Sequence, residues 1–568
     1  MNKLKKKTKE KETLLSANFI TKDGLEHKEL DLPESHPGKL SLGRNVTDTN
    51  IIPHEDRLDL DGEDVAGLFP EVKKEVFEPT TGIQDKDKNY ILENEITNLV
   101  EDVQKTKETP QIINANDLVF TVTKKEPGDR VEIIQDYPAK VFPEPKNKAF
   151  IEKIDEIWSE TSSGMSFHHL YTEDFALDGR EIHIKGQKVL NFGSCSYLGL
   201  EHHPKLKEGA IEAIQRYGTQ YSSSITYLSL GLYKELKEKY TKIFGSNVVL
   251  APTTTLAHAS SIPLIADEHD VFLLDQQVHN SVQMGTQLAA AQGTPFFIMP
   301  HNNIEALEDK IQKLKNEHRK IWYFLDGVYS MYGDLAPIAE LEKLRDKYDN
   351  LYLYIDDAHG TSWRGKNGKG HALSCLKSLR KTIVAVSNNK AFAGAGGSLV
   401  IEDPELYNVI SNFGQTMIFG GPIQPANLGA CLASADIHLS KEIYVLQDKL
   451  RSKIDLRNRL FDKYDIPVFG DRQTPISFIC VGSPKSLGIL FHKLFEDGIY
   501  TNCAVYPAVS KQKSGLRTTM TNHLTDADIE KFVERVAYHL PKILQEEGSS
   551  IEKIKKRFKI KERNLVKV

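Results

Sequence analysis

The chain has 568 residues, 27% of them charged and 40% hydrophobic. That balance excludes a collagen-like, disulfide-stapled or wholly disordered chain. The formal net charge of −6 gives no bulk reason to expect a nucleic-acid partner.

The first residues, MNKLKKKTKEKET, are basic and lack the apolar core of a secretory signal. From Glu55 to Glu108 the chain carries 16 acidic residues against 7 basic ones. Apolar residues rarely cluster over 1–110, so this stretch cannot bury enough surface to offset its ordering entropy. A disordered charged extension is expected there. Its apolar spots, Leu68-Phe69-Pro70 and Val76-Phe77, could dock a partner, but a solvated tail is the plainer reading.

An N-terminal arm is expected over 111–204. Val119 to Val122 reads as a strand, and Ala149 to Glu160 has helical spacing, with Phe150, Ile151, Ile154, Ile157 and Trp158 on one face. Asp178-Gly179 precedes the alternating Glu181 to Ile184, and Lys185-Gly186 leads into Val189 to Phe192, which predicts a hairpin. From Asn247 short apolar runs alternate with amphipathic stretches: NVVLAP, DVFLLD, TPFFIMP, KIWYFLD, LYLYID, TIVAVS and SLVIED are the runs. This predicts an α/β fold with a mostly parallel sheet covered on both faces by helices. The large domain is placed at 205–434, a smaller α+β domain at 435–545 and a basic tail at 546–568. In the tail, Ile551, Ile554, Phe558 and Ile560 are only loosely spaced for an amphipathic face. A frayed basic helix is therefore favoured over contact with anionic lipid. No apolar run approaches the roughly 18–20 residues that span a bilayer. The five cysteines, Cys195, Cys375, Cys431, Cys480 and Cys503, show no CxxC spacing, so neither a metal site nor a disulfide framework is expected. The expected compartment is the reducing cytoplasm.

In such sheets ligands gather at the carboxyl ends of the strands. NVVLAP is followed by Thr253, Thr254 and Thr255 at a helix start, an anion site if not merely a helix cap. DVFLLD leads to His279. KIWYFLD leads to Gly327 and Ser330. LYLYID ends in Asp356-Asp357-Ala358-His359, and carboxylates at the end of a buried strand are costly unless a cation faces them. TIVAVS ends in Ser387 and leads to Lys390 and a glycine-rich loop, the setting of a reactive amine. Singly, each residue has an ordinary structural explanation. Together they match what pyridoxal 5'-phosphate requires: donors for its phosphate, a flat stacking partner, a carboxylate for its ring nitrogen and a lysine for its aldehyde.

Roughly from Tyr171 to Leu544 the chain resembles the α-oxoamine synthases, a family of fold-type-I pyridoxal-phosphate transferases. The motifs that carry the resemblance are Asn191-Phe192-Gly193-Ser194-Cys195-Ser196-Tyr197-Leu198-Gly199-Leu200 followed by His203-Pro204, Asp326 to Pro337, Asp356-Asp357-Ala358-His359-Gly360-Thr361, and Ser387-x-x-Lys390. The resemblance implies that Lys390 holds the cofactor aldehyde and then acts as base on the substrate Cα. It implies that Asp356 pairs with the ring nitrogen, His359 bonds the 3-oxygen and His279 stacks on the ring. Thr254, Thr255 and Ser387 would hold the phosphate. Ser330 would lie near the 3-oxygen, Arg517 would grip the amino-acid carboxylate, and Ser196 would stand at a substrate-binding position. The chain departs from the family pattern at Ser196, where relatives have Asn, at Thr254-Thr255, at Gly218 to Thr226, which lacks the family's Arg, and at Gly420-Gly421.

The implied reaction condenses an amino acid with an acyl thioester of coenzyme A or an acyl carrier protein, usually with decarboxylation, to give an α-oxoamine. A homodimer is implied as well. The rivals are another reaction on the same cofactor, aminotransfer or aldol-type cleavage, and a non-catalytic partner subunit.

Overall fold

A computed structural model describes residues 111–115, 118–123, 132–136, 148–162 and 167–560. The expectation of disorder over 1–110 lies outside the described residues. The chain divides into two units, meeting at Lys148 and Ala149. In the first, β1 (Gln111–Ala115), β2 (Leu118–Thr123) and β3 (Glu132–Asp136) form an antiparallel sheet with β2 in the middle.

The second unit begins within the helix Lys148–Ser162, whose Ile157 is buried. The predicted hairpin follows as β4 (Glu181–Ile184) and β5 (Gln187–Asn191). Its turn residues, Lys185 and Gly186, have φ of 50° and 72°, the left-handed pair that matches the twist of the flanking strands.

Seven strands build the large sheet: β6 (Asn247–Ala251), β7 (Val271–Asp275), β8 (Phe296–Met299), β9 (Ile321–Asp326), β10 (Leu351–Asp356), β11 (Thr382–Ser387) and β12 (Gly397–Ile401). Their spatial order is β6-β12-β11-β10-β9-β7-β8, and only β12 runs against its neighbours. Side chains alternate between two cores. Leu351, Leu353 and Ile355 of β10 pack with the helices Gly231–Phe244, Ile304–Leu314 and Ile338–Lys347, whereas Tyr354 packs with Thr254–Ser261, Asn280–Ala290 and Pro404–Phe413. Burying each such aliphatic or aromatic side chain contributes about 1.5–3 kcal/mol. This two-sided burial is why the strands read as continuous apolar runs. The edge strand β8 is the exception, with Phe296, Phe297 and Ile298 exposed.

A second sheet holds β13 (Val468–Phe469), β14 (Ile476–Gly482), β16 (Asn502–Ala504) and β17 (Ser514–Thr519), in the order β13-β14-β17-β16. The short strand β15 (Ile499–Tyr500) pairs with β5 and fastens the hairpin here. The tail differs from expectation. Its helix, Ile551–Phe558, buries Ile554 and Phe558 in the core of this second sheet, so the apolar face is neither frayed nor turned to lipid. Phe558 lies against Phe469 and Phe478. Among the described residues no helix is long and apolar enough to cross a membrane.

Candidate active site

The ends of β6, β7, β9, β10 and β11 surround a cavity of about 350 Å³. Thr254, Thr255, His279, Asp356, His359, Ser387 and Lys390 all line it. The sheet topology brings together residues up to 137 positions apart, Thr253 and Lys390 being the extremes.

At one end lies an anion cradle. Thr253 caps the helix Thr254–Ser261, its hydroxyl accepting from Leu256 N at 3.0 Å. The capping reading thus falls on Thr253. Thr254 and Thr255 occupy the first helical turn, where backbone N–H groups lack intrahelical acceptors. Gly397, at the start of β12, lets that turn approach. A Cβ there would stand 2.5 Å from Thr254 N. Ser387 closes β11, with its hydroxyl accepting from Asn389 N at 3.3 Å.

His279 caps the helix Asn280–Ala290. Its backbone N–H donates to Asp326 Oδ1 at 2.9 Å, and its Nδ1 lies 2.7 Å from Ser281 Oγ. Burial holds its pKa below the ordinary histidine value, against the pull of Asp356.

Asp356 ends β10. Its Oδ1 accepts from Ala358 N at 3.0 Å, and its Oδ2 lies 3.0 Å from Nε2 of His258. Burial alone would push this carboxyl up. The charge and hydrogen bond of His258, with the charges of Lys390 and His279, overcome that and hold it well below the usual range. Asp357, the other acid of the motif, points elsewhere. Its Oδ2 accepts from Ala372 N at 2.9 Å, Gly327, Gly360 and Gly370 crowd it, and burial raises its pKa to about 8.

His359 Nδ1 lies 2.7 Å from the Tyr197 hydroxyl, and Trp363 Nε1 donates to the His359 carbonyl at 2.7 Å. Burial, helped by the charges of Lys390 and Arg517, drives the imidazole pKa far down, so the ring is neutral. Burial also lowers the Lys390 pKa, opposed by Asp356. An amine so placed reaches its reactive neutral form more readily.

Arg517 on β17 donates through Nε to the Ser330 carbonyl at 2.7 Å and through Nη2 to Cys195 Sγ at 3.7 Å. It thereby joins the second sheet to the loop after β9 and to the segment after β5. Ser330 contributes its carbonyl to this contact. Ser196 stands apart from the cavity lining: its hydroxyl donates to Glu201, whose other oxygen lies 3.0 Å from His523 Nε2. Two residues escaped the sequence reading. His258 sits mid-helix among small residues, and Tyr197 sits inside a motif read for its neighbours.

These groups fit pyridoxal phosphate. The glycine-permitted cradle suits a phosphate, the ionised Asp356 suits a protonated ring nitrogen, and Lys390 suits the aldehyde.

Comparison with known proteins agrees. The sequence profile of aminotransferase class I and II matches residues 187–536. The 8-amino-7-oxononanoate synthase of Thermoanaerobacter pseudethanolicus is 31% identical over 63% of this chain and 90% of its own length. That of Thermosipho melanesiensis is 29% identical over 68% and 96%. Among solved structures, the serine palmitoyltransferase of Sphingomonas wittichii shares the fold, with a TM-score of 0.64 at 20% identity over 70% of this chain and 98% of its own. The 8-amino-7-oxononanoate synthase of Francisella tularensis gives 0.53 at 21% identity over 63% and 99%. With the motifs and the cavity already in place, these matches show that the chain belongs to the aminotransferase class I and II family, in its α-oxoamine synthase branch.

Proposed function

We propose that the chain is a pyridoxal-phosphate-dependent acyltransferase that condenses an amino acid with an acyl thioester, usually with loss of carbon dioxide, to give an α-oxoamine. The observation that carries this reading is the shared cavity of Lys390 and the charged Asp356, with Arg517 anchored beside it on the Ser330 carbonyl. When bound, the cofactor supplies an electron sink for negative charge at the amino acid's Cα.

The chain's own residues do the rest. The N–H groups of Thr254 and Thr255, with the Ser387 hydroxyl, hold the phosphate. His279 presents a neutral, flat ring to stack. Asp356 keeps a proton on the ring nitrogen, and His359 bonds the 3-oxygen. Lys390 Nζ takes the proton from Cα. The Arg517 guanidinium, held on the Ser330 carbonyl through Nε, donates to the substrate carboxylate. Ser330, whose carbonyl anchors Arg517, borders the substrate side, whereas Ser196 is committed to Glu201. We read the working form as a cytoplasmic homodimer, in keeping with the family, and the acyl donor as a thioester of coenzyme A or of an acyl carrier protein.

The test is product analysis with the purified chain. Amino acids are supplied with acyl-coenzyme A thioesters, and free thiol and carbon dioxide are followed. Thiol release that needs both substrates and disappears in Lys390→Ala supports the proposal. Exchange of the amino group with a 2-oxo acid, without thiol release, would replace it with aminotransfer. Failure of borohydride to fix pyridoxal phosphate onto Lys390 would favour the non-catalytic subunit.

A further inference from the structure

His258 is completely buried. Its Nδ1 lies 2.9 Å from the Tyr354 hydroxyl, and its Nε2 lies 3.0 Å from Asp356 Oδ2. Ser261, one turn further along the helix, donates its hydroxyl proton to the Ala257 carbonyl at 2.8 Å. A serine hydroxyl has one proton. Ser261 must therefore accept at its 2.9 Å contact with the Tyr354 hydroxyl. Tyr354 has now committed its own single proton, so it meets His258 as an acceptor. Nδ1 of His258 consequently carries a proton.

The second nitrogen faces a carboxylate oxygen. A contact of 3.0 Å between them needs one proton. Placed on Nε2, it makes His258 an imidazolium against a carboxylate. Placed on Asp356, it leaves two neutral groups. The surroundings favour the first arrangement. Asp356 Oδ1 accepts from the Ala358 N–H, and Lys390 lines the same cavity, where its positive form attracts the carboxylate. Both favour a negative Asp356. The other ionisable groups that face it are Asp326, on the neighbouring strand, and His279.

We propose that His258 is a positioning residue: a buried imidazolium, fixed by Tyr354, that holds Asp356 ionised and oriented toward the ring nitrogen of the cofactor. This rests on the reading that Asp356 faces that nitrogen. The row Tyr354–His258–Asp356 supplies the counter-charge that a buried carboxylate requires. A neutral amide at position 258 could donate one hydrogen bond to Asp356 but could bring no charge.

The test has two readouts. The first is nitrogen-15 NMR of the full-length, cofactor-free chain with labelled histidine, the His258 signal being assigned by its loss in His258→Asn. Two protonated ring nitrogens with imidazolium shifts are expected, and a neutral tautomer pattern overturns the proposal. The second uses pyridoxal phosphate labelled at its ring nitrogen, loaded onto wild type and onto His258→Asn. The nitrogen should read as protonated in wild type and shift toward unprotonated pyridine in His258→Asn, although borohydride still fixes the cofactor to Lys390. An unchanged shift in the loaded variant overturns the proposal. A wild-type chain that takes up no cofactor would defeat the reading of Asp356 instead. In that event, or if His258→Asn fails to fold, the imidazolium signal of the cofactor-free wild type, assigned then by its loss in His258→Gln, decides the matter.

Discussion

Asp326 and Asp356 are register partners at the ends of adjacent parallel strands, yet they settle in opposite protonation states. Burial and the neighbouring charge of Asp356 push the Asp326 carboxyl far up, so it stays neutral. Asp356 has His258 and Lys390 to offset the same burial, and it stays charged. Two carboxylates this close cannot both ionise in a poorly solvated site. The sheet end thus presents one directed negative charge. The neutral partner accepts the backbone N–H of His279 and holds that ring in place.

The two acids should therefore respond differently to amide substitution. Asp356→Asn removes the charge at the ring nitrogen and should lower kcat by about 10²-fold or more. Asp326→Asn keeps an acceptor for His279 and should leave turnover near wild type, with a stability change under about 1.5 kcal/mol. Steady-state kinetics and urea unfolding of both variants check this. A severe kinetic loss in Asp326→Asn alone would reverse the assignment.

Gly397→Ala should weaken cofactor binding more than it weakens the fold. The new Cβ would meet Thr254 N at 2.5 Å and Thr254 Oγ1 at 2.7 Å. The threonine turn must then retreat from β12, widening the phosphate cradle. A rise of about tenfold in the dissociation constant corresponds to only about 1.4 kcal/mol. Titration of the cofactor-free chain with pyridoxal phosphate reads it, and an unchanged constant would remove these threonines from the phosphate site.

Arg517→Lys separates charge from geometry. Lysine keeps the positive charge but loses the planar fork that reaches the Ser330 carbonyl through Nε. KM for the amino acid should rise about tenfold or more, with a smaller effect on KM for the thioester. Equal effects on both substrates would place Arg517 outside the carboxylate subsite.

Much of this site was legible because its chemistry is concentrated at strand ends. Buried parallel strands such as β9 and β10 are continuous apolar runs, and the polar residue that ends each run marks the sheet's ligand edge. Lys390, Asp356, His359 and His279 all follow such runs. His258 does not. It lies within a helix, and its importance comes from Tyr354 on a strand 96 residues away. Ser196 was legible as a motif position, but its hydrogen bond to Glu201 depends on how the segment after β5 folds back. Spacing alone does not encode either contact.

His301 offers a prediction on pH. It bridges Asp275 at 2.8 Å and Asp334 at 2.5 Å, and so ties β7 to the loop that carries Ser330. Burial opposes its charge, but the two carboxylates outweigh burial and raise its pKa from 6.5 to about 9. A histidine whose folded pKa is raised adds stability that is fully present below the unfolded pKa. That stability is lost as pH rises through the folded pKa. His301→Gln should therefore cost about 3 kcal/mol at pH near 6, and the gap to wild type should close as pH passes about 9. Urea unfolding at a series of pH values checks the sign. A gap that widens with pH would show that the bridge is not ionic.

The tail helix provides the last prediction. Phe558 is 2% exposed and Ile554 1% exposed, both packed against the second sheet, while Lys555, Lys556 and Arg557 lie between them in sequence. A helix whose aromatic and aliphatic residues are buried this fully belongs to the core. Phe558→Ala should cost about 3–5 kcal/mol and Ile554→Ala about 2–5 kcal/mol. Lys556→Gln, on the opposite side, should fall within about 0.5 kcal/mol of wild type. Because the apolar face is already occupied, vesicles of anionic lipid should leave the unfolding midpoint of the wild-type chain unchanged. Alanine variants at Ile554 and Phe558 that unfold like wild type, together with a midpoint raised by vesicles, would return the tail to the membrane surface.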